Sequence, residues 1–515
     1  MTSPQSPSAP GIGRAHGAAI IGVDGHLVEA EAVISNGPSA FSIAGLPETS
    51  VRETRDRIRA AILNSGQPWP TGSVTVNLLP TSLPKYGAGL DLTVAVAVLT
   101  AAAAVPASAA DQCVFVAELG LDGGLRPVRG VASAQIAAAS AGYRRAVVAE
   151  DNGAEAQLVP GLAVVPCQSL RAVMTRLRGR PSAPQPGVPA ASIPAAPDLR
   201  SVISLADLVV GPLVRLALEA AAAGGHHLCL TGSGGAAIPA LAAGLAGLLP
   251  PLDASEVLEV TTVHSVAGLL SSRHATITRP PLRAPHHTAT PAAMAGGGAG
   301  MTRPGEAALA HRGVLFLEDA PEFAAGVLQV LRQPLQDGQV TVARSGRMVR
   351  FPAKFILMAG MTACPCGAGP GCGCSQLQAR RYRARFAREL GGYIAIWLQA
   401  PSGPAAPVAQ TPGAGADVMS AARVVAARQR ARRRLDGTPW RLNADIPGLE
   451  LRRSFQPAAE AFAPVSRAVD LGEISASSAH QVIRLAWTLA DLEGEDRPGA
   501  QECGLALALQ LGVAR

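Results

Sequence analysis

Apolar and polar positions alternate along residues 18–33 and again along Ser73 to Leu79, the period of two that a half-buried strand imposes. Between them Ser50 and Glu53 stand three apart, as in a capping box, and residues 52–64 follow with helical spacing up to Gly66. A helix starting at Ser50 is therefore expected. The middle of the chain has short apolar runs at 228–231, 314–317 and 355–359, separated by helical patterns, which predicts a parallel α/β sheet. Beyond residue 417 the chain is rich in Ala, Arg and Leu with no strand-like run, so a helical bundle is expected there. Pro/Ala-rich stretches at 180–199 and 401–416 read as extended linkers and divide the chain into units 1–179, 200–400 and 417–515.

A length of 515 residues suits two or three domains. The net charge of +7 suits an anionic partner without identifying one, and aromatics at 3% make base stacking a minor route to nucleic acid. Residues 1–16 lack a basic segment followed by an apolar one, and the longest apolar runs, 92–105 and 236–249, are Ala-rich and closed by Pro. A soluble cytoplasmic protein with no membrane partner is expected. Eight cysteines, four of them within 364–374, do not form the spacing of a secreted disulfide framework.

The run Leu228-Cys-Leu-Thr-Gly-Ser-Gly-Gly-Ala-Ala-Ile-Pro239 places a strand before a glycine-rich turn, the order of a phosphate-binding loop. Counting from Gly232, the pattern G-x-x-x-x-G-K-[ST] meets Ala237, Ile238 and Pro239 at its last three positions. Ile supplies no cation, and Pro supplies neither a hydroxyl nor a backbone N–H. The backbone at Gly232 and Gly235 is what remains to meet an anion. Further on, Gly313-Val-Leu-Phe-Leu-Glu-Asp-Ala-Pro-Glu-Phe323 is an apolar strand ending in Glu318 and Asp319, a carboxylate pair of the kind that holds Mg²⁺ and polarises water.

With Arg283-Ala-Pro-His-His-Thr288, Arg303-Pro-Gly-Glu306, Leu331-Arg-Gln-Pro-Leu-Gln-Asp-Gly338 and Cys364-Pro-Cys-Gly367, the chain resembles the magnesium-chelatase-like AAA+ proteins of the ComM/YifB type. The resemblance extends to the first unit through Ala44-Gly-Leu-Pro47, Val76-Asn-Leu-Leu-Pro80, Leu83-Pro-Lys85 and Glu118–Gly130. It reaches the last unit through Ser475-Ala476 and Leu489-Ala-Asp-Leu492. It implies an N-terminal Lon-protease-like α/β domain, a central AAA+ core and a C-terminal helical domain. It also implies ATP with Mg²⁺, a hexameric ring, and a link to DNA branch migration in natural transformation.

Against that pattern the catalytic positions depart. Glu318-Asp319 stands where the family has Asp-Glu, and a carboxylate displaced by one methylene is costly in rate. Thr362 replaces a sensor Asn, the stretch Gly391-Gly-Tyr-Ile-Ala-Ile396 has lost the finger Arg, and Ser477 stands where a second sensor Arg is expected. A pseudo-ATPase on an AAA+ scaffold follows, acting through homo-oligomeric assembly, an intact paralogue or DNA; an active DNA motor and a metal-handling accessory are the alternatives. A Ser-Lys hydrolase in the first unit is not expected, because 85–91 has no nucleophile and 121–129 no Lys.

Cys364, Cys366, Cys372 and Cys374 form C-x-C-x5-C-x-C, which suits tetrahedral zinc and equally stands as four reduced thiols. The pairs His226-His227 and His286-His287 are expected to point to opposite faces of strands and to serve as scaffold. The densest positive cluster, Arg428, Arg430, Arg432, Arg433 and Arg434, supplies the DNA-contact candidates, with Arg380 to Arg388 as a second basic run.

Overall fold

The structure, a computed structural model, describes residues 11–179, 211–232, 237–271, 275–298, 301–344, 347–368, 372–399 and 414–513. The first described segment carries a seven-stranded sheet of β1 (Ile12–Ile21), β2 (Asp24–Ser35), β3 (Ala40–Ala44), β4 (Ser73–Leu79), β5 (Cys113–Val116), β6 (Arg145–Ala149) and β7 (Ala163–Cys167), in the order β3-β4-β2-β1-β5-β6-β7. β1 and β2 form a hairpin, β2 and β4 are antiparallel, and the remaining neighbours run parallel. The alternation expected over 18–33 is thus two strands and a turn, whereas Ser73–Leu79 is one strand as expected.

Helix α1 (Glu48–Asn64) begins at Glu48, not at a Ser50 cap. Pro47 occupies the capping position with φ −59° and ψ 139° and no side-chain cap bond. Proline fixes the entry angle, and the three-residue spacing of Ser50 and Glu53 falls inside the first turns. Helix α2 (Asp91–Ala101) is buried along its first ten residues and lies directly on β1. Gly13 allows that approach, since a Cβ there would run into the backbone of Ala97 and Ala101. Lys85 is buried and donates to the carbonyls of Pro80 (2.6 Å) and Leu83 (3.0 Å). Helix α3 (Val131–Ser140) lies toward the central part of the chain, where the Gly130 N–H donates to Ser265 Oγ at 2.7 Å.

The central segment forms a five-stranded parallel sheet flanked by α4 (Pro212–Gly224), α5 (Ala237–Leu248), α6 (Ala254–Ala267) and α7 (Gln376–Leu390). Its strands are β8 (Leu228–Thr231), β9 (Leu282–Arg283), β10 (Val314–Leu317), β11 (Ile356–Met361) and β12 (Ile396–Gln399), in the order β9-β10-β11-β8-β12. β8 and β10 span the runs expected from sequence, and β11 sits one to two residues later than 355–359. Every residue of β10 and β11 is buried. With helices on both faces, such strands read as continuous apolar runs, and each Leu, Ile or Val contributes roughly 1.5–3 kcal/mol. This arrangement fits an AAA+ core, whose ligand edge is the carboxyl side of the strands where the order reverses around β8.

The last segment is helical: α8 (Ala414–Arg434), α9 (Ala459–Asp470), α10 (Ala476–Glu493) and α11 (Ala500–Leu511). α8 takes up the last three residues of the stretch read as a 401–416 linker; the rest of it, and 180–199, lie outside the described residues. Buried Asp491 joins these helices: it accepts from Arg434 at 2.6 and 2.7 Å and from Asn443 at 2.8 Å. Asn443 donates to Thr488 Oγ1 (3.0 Å), which meets His226 Nε2 at 2.7 Å and so ties the helical part to the residues before β8.

Candidate functional site at the carboxyl edge of the central sheet

Strand β8 ends at Thr231, and the Gly232 N–H donates to Met361 O at 3.0 Å, so the first residue of the loop is held to the neighbouring strand. Gly235 lies outside the described residues. When the chain is described again at Ala237 it is already helical, and Ile238, in the first turn of α5, is buried in the core with Leu230, Phe316 and Met358. Gly360 on β11 makes the space: a Cβ there would come to 2.8 Å from Ile238 Cγ2 and 3.4 Å from Phe316 Cε2. The position at which a phosphate loop presents an ammonium group is here an apolar plug in the sheet–helix interface. Pro239, next in the helix, withdraws a backbone N–H that would otherwise face an anion.

Glu318 and Asp319 follow β10 at the same edge. Glu318 is exposed, and Asp319 takes a left-handed backbone (φ 49°) to enter the turn Ala320–Glu322, whose Glu322 N–H donates back to Asp319 O at 2.7 Å. Asp is among the residues that tolerate this conformation. Thr362, after β11, is committed locally: its hydroxyl donates to Cys364 O at 2.8 Å and lies 3.4 Å from Tyr382 Oη. The structure therefore brings Gly232, Ile238, Glu318, Asp319 and Thr362 to one edge, as the strand order requires. Among the described residues at that edge, an apolar side chain and a proline occupy the positions that would neutralise and grip the phosphates of a magnesium nucleotide.

The Gly391–Ile396 stretch and Ser477 are elsewhere. Tyr393 and Ser477 both line a cavity at the amino edge of the sheet, on the far side of the strands from the loop.

The four cysteines come together beyond β11. Cys364 Sγ lies 3.3 Å from Cys366 and 3.0 Å from Cys372, Cys366 and Cys372 are 3.2 Å apart, and all four sulfurs lie within 4.8 Å of one another. The backbone N–H of Ala368 and the neighbouring thiols pull Cys366 down to about 6, while hydrogen bonding among the thiols raises Cys364. Zinc held at about 2.3 Å by four sulfurs sets them about 3.8 Å apart, inside the span of this cluster. The donor set and the geometry therefore fit a tetrahedral metal ion.

Directly after the cluster, Ser375 and Gln378 form a capping box for α7. Arg380, Arg381, Arg383, Arg385 and Arg388 on that helix are exposed. Among the described residues, Arg385 pairs with Glu322 at 3.8 Å and Arg388 with Glu389 at 3.3 Å, whereas Arg380, Arg381 and Arg383 have no carboxylate partner.

The α8 cluster is a correction. Arg428 is inside the fold and donates to Ala222 O at 3.0 and 2.7 Å; Arg430 donates to Asp491 O at 2.6 Å. Arg434 pairs with Asp491 and covers the Trp487 ring at 4.4 Å. Only Arg432 and Arg433 of the five are exposed without an internal partner among the described residues. Arginines at i, i+2, i+4 and i+6 are spread around a helix, so a dense run in sequence puts some on the buried face. The His286-His287 reading is corrected too: the two follow β9 in a loop, and their rings lie side by side, 4.1 Å between centroids. His226 and His227 keep the scaffold role, His227 Nδ1 accepting from the Leu357 N–H at 3.0 Å. Sequence reading did not find the cavity at the amino edge, since its polar groups come from segments more than 200 residues apart.

Three family models match the chain: subunit ChlI of Mg-chelatase over residues 30–152, magnesium chelatase subunit ChlI over 204–406, and its C-terminal part over 417–510. The uncharacterized protein Rv2897c of Mycobacterium tuberculosis is 40% identical over 506 residues, covering 98% of this chain and 99% of the relative. YifB of Escherichia coli is 35% identical over 487 residues, 93% of each chain. Competence protein ComM of Haemophilus influenzae is 33% identical over 482 residues, again 93% of each. Among the described residues no helix is long and apolar enough to cross a membrane.

Proposed function

The chain belongs to the magnesium-chelatase-like ComM/YifB family, and we propose that within it this protein is a degenerate AAA+ subunit that assembles and binds DNA without turning over ATP. The observation that carries this reading is Ile238, buried against Phe316 with Gly360 shaped to receive it. A lone loop substitution on an otherwise polar edge would be reversible by one mutation, whereas here the strand opposite is fitted to the apolar side chain. DNA enters through the basic face of α7 beside the cysteine cluster, and one relative is named a competence protein. The Lon-like N-terminal domain, a ring of copies and a cytoplasmic location complete the proposal.

Calorimetry with ATP and ADP in Mg²⁺, with steady-state hydrolysis followed with and without branched DNA, tests it. The expected result is no turnover and no nucleotide binding that depends on the loop at Gly232. Submicromolar ATP binding with DNA-stimulated turnover would return the protein to the active motors. Restoring Ile238→Lys with Pro239→Thr is expected to raise nucleotide affinity without hydrolysis, since no arginine stands in 391–396.

The cysteine cluster is proposed to hold one structural zinc ion, which pins the loop from which α7 starts. Metal analysis of protein purified without chelator is expected to find one zinc per chain, lost in Cys366→Ser. Metal-free wild type in reducing buffer would leave the four as thiols.

A further inference from the structure

A cavity of about 640 Å³ opens at the amino edge of the central sheet, between the start of the strands and the C-terminal helices. Its size is that of a small-molecule site. Two of its four cations are neutralised: Lys354 pairs with Asp445 at 2.7 Å and Arg312 with Glu259 at 2.9 Å. The other two have no direct ion pair among the described residues. Arg428 donates to Ala222 O, and Arg484 donates from Nε to Ile446 O at 2.8 Å, and neither meets a carboxylate within ion-pair distance among the described residues. A carbonyl accepts a hydrogen bond but does not neutralise the charge; the carboxylates that act on these groups, Glu256 and Asp445 on Arg428 and Asp445 on Arg484, do so through space without an ion-pair contact, which leaves both guanidinium groups open to a directly bound anion.

The lining also carries Glu256, Asp337 and Asp445; Asp445 is taken up by Lys354, and Glu256 lies 3.7 Å from both Arg312 and Arg441. His227 Nδ1 accepts from Leu357, which leaves the ring proton on Nε2, and burial holds the ring neutral with a pKa of about 4. It is thus a neutral donor in the wall. His226, beside it and 1% exposed, has Nδ1 with no hydrogen-bond partner among the described residues. Gln481 adds an amide, and Trp440 and Tyr393 add flat surfaces.

We propose that this cavity binds a phosphate-bearing small molecule, with Arg428 and Arg484 as its anion-binding residues. Two guanidinium forks without a direct carboxylate partner are free to bind phosphate oxygens, whose geometry they suit. The site is separate from the loop at Gly232, so it neither requires nor excludes nucleotide there.

The test is calorimetry with inorganic pyrophosphate and with ADP, on the full chain and three variants. Saturable binding of at least one probe is expected, weakened tenfold or more by Arg484→Gln, weakened to a lesser degree by Gln481→Leu, and unchanged by Arg432→Gln. Any probe held at the Gly232 loop would be indifferent to Arg484→Gln, which separates this proposal from the reading of the degenerate site. If Arg484→Gln lowers the melting temperature so far that it cannot be measured, Gln481→Leu decides, with a threefold loss supporting the site. No saturable heat with either probe, or equal affinity in all variants, would overturn it.

Discussion

The two edges of the central sheet have opposite characters. At the carboxyl edge, where a parallel sheet with this strand order usually receives its ligand, an isoleucine closes the loop–helix junction and a glycine on the next strand accommodates it. At the amino edge, histidines, arginines and an amide converge on open space, and hydrogen bonds cross from the helical bundle to the residues ahead of β8. The difference teaches that one sheet can bury an apolar side chain at one edge and hold polar groups around open space at the other. At the carboxyl edge Ile238 is seated in the apolar core while Glu318 stays exposed, and at the amino edge polar groups surround a cavity.

Breaking the amino edge should produce the largest effect. Asp491 is 1% exposed and accepts from Arg434 and Asn443, so Asp491→Ala leaves the 18%-exposed Arg434 guanidinium without its carboxylate, held only by Asn443 Oδ1 and the Trp487 ring. A loss of about 3–5 kcal/mol is expected for a buried pair broken on one side, read from the urea midpoint of the transition that reports the helical segment. A loss below 1 kcal/mol would mean that the two parts are held together by apolar packing alone.

Acid should act on the same edge. Burial lowers His226 to about 3 and His227 to about 4, while an unfolded chain takes up these protons near 6.5. Stability contributed by the neutral rings is full above about pH 6.5 and is lost as pH falls from there toward 4, at roughly 1.4 kcal/mol per unit for each ring. Unfolding at pH 7 and pH 5.5 is expected to differ by about 1–3 kcal/mol, and His226→Asn should reduce the difference. A pH-independent midpoint over that range would show that the rings are solvated.

At the carboxyl edge the expected changes are smaller and steric. Gly360→Ala pushes a methyl group against Ile238 and Phe316, a case of overpacking that costs about 1–3 kcal/mol. Ile238→Ala removes the Cγ2 atom that causes the clash, so in the double variant part of the loss should return, with a coupling of about 1 kcal/mol in a double-mutant cycle. Strict additivity would indicate that Gly360 is not fitted to Ile238.

The apolar runs at 228–231 and 314–317 are continuous, so strand positions and the parallel sheet were legible from hydrophobicity alone. The departure of Ala237, Ile238 and Pro239 from the phosphate-loop pattern was legible too, because that pattern is local and its residues have fixed spacing. The burial of Ile238 was not, since it depends on Gly360, more than a hundred residues away. The same limit misled the reading of α8: Arg428 and Arg434 look like surface charge until the carbonyl of Ala222 and the carboxylate of Asp491 are brought beside them. The four cysteines are within eleven residues of one another, and their convergence on one point is a local property that the sequence conveyed.

The smallest effect distinguishes a surface from a scaffold. Arg432 and Arg433 are exposed, and Arg432→Gln with Arg433→Gln is expected to leave stability within about 0.5 kcal/mol. If these two meet DNA phosphates, the slope of log affinity against log salt should fall by about 0.9 for each contact removed. The same measurement on Arg380→Gln, Arg381→Gln and Arg383→Gln locates the interface. These three lie on the helix that starts at the cysteine cluster and lack carboxylate partners among the described residues, so the larger change in slope is expected from them. A change confined to Arg432 and Arg433 would move the nucleic-acid surface to the helical bundle and separate it from the cysteines. Unchanged slopes in both sets would leave the net charge of +7 without a DNA-facing role and would count against that part of the proposed function.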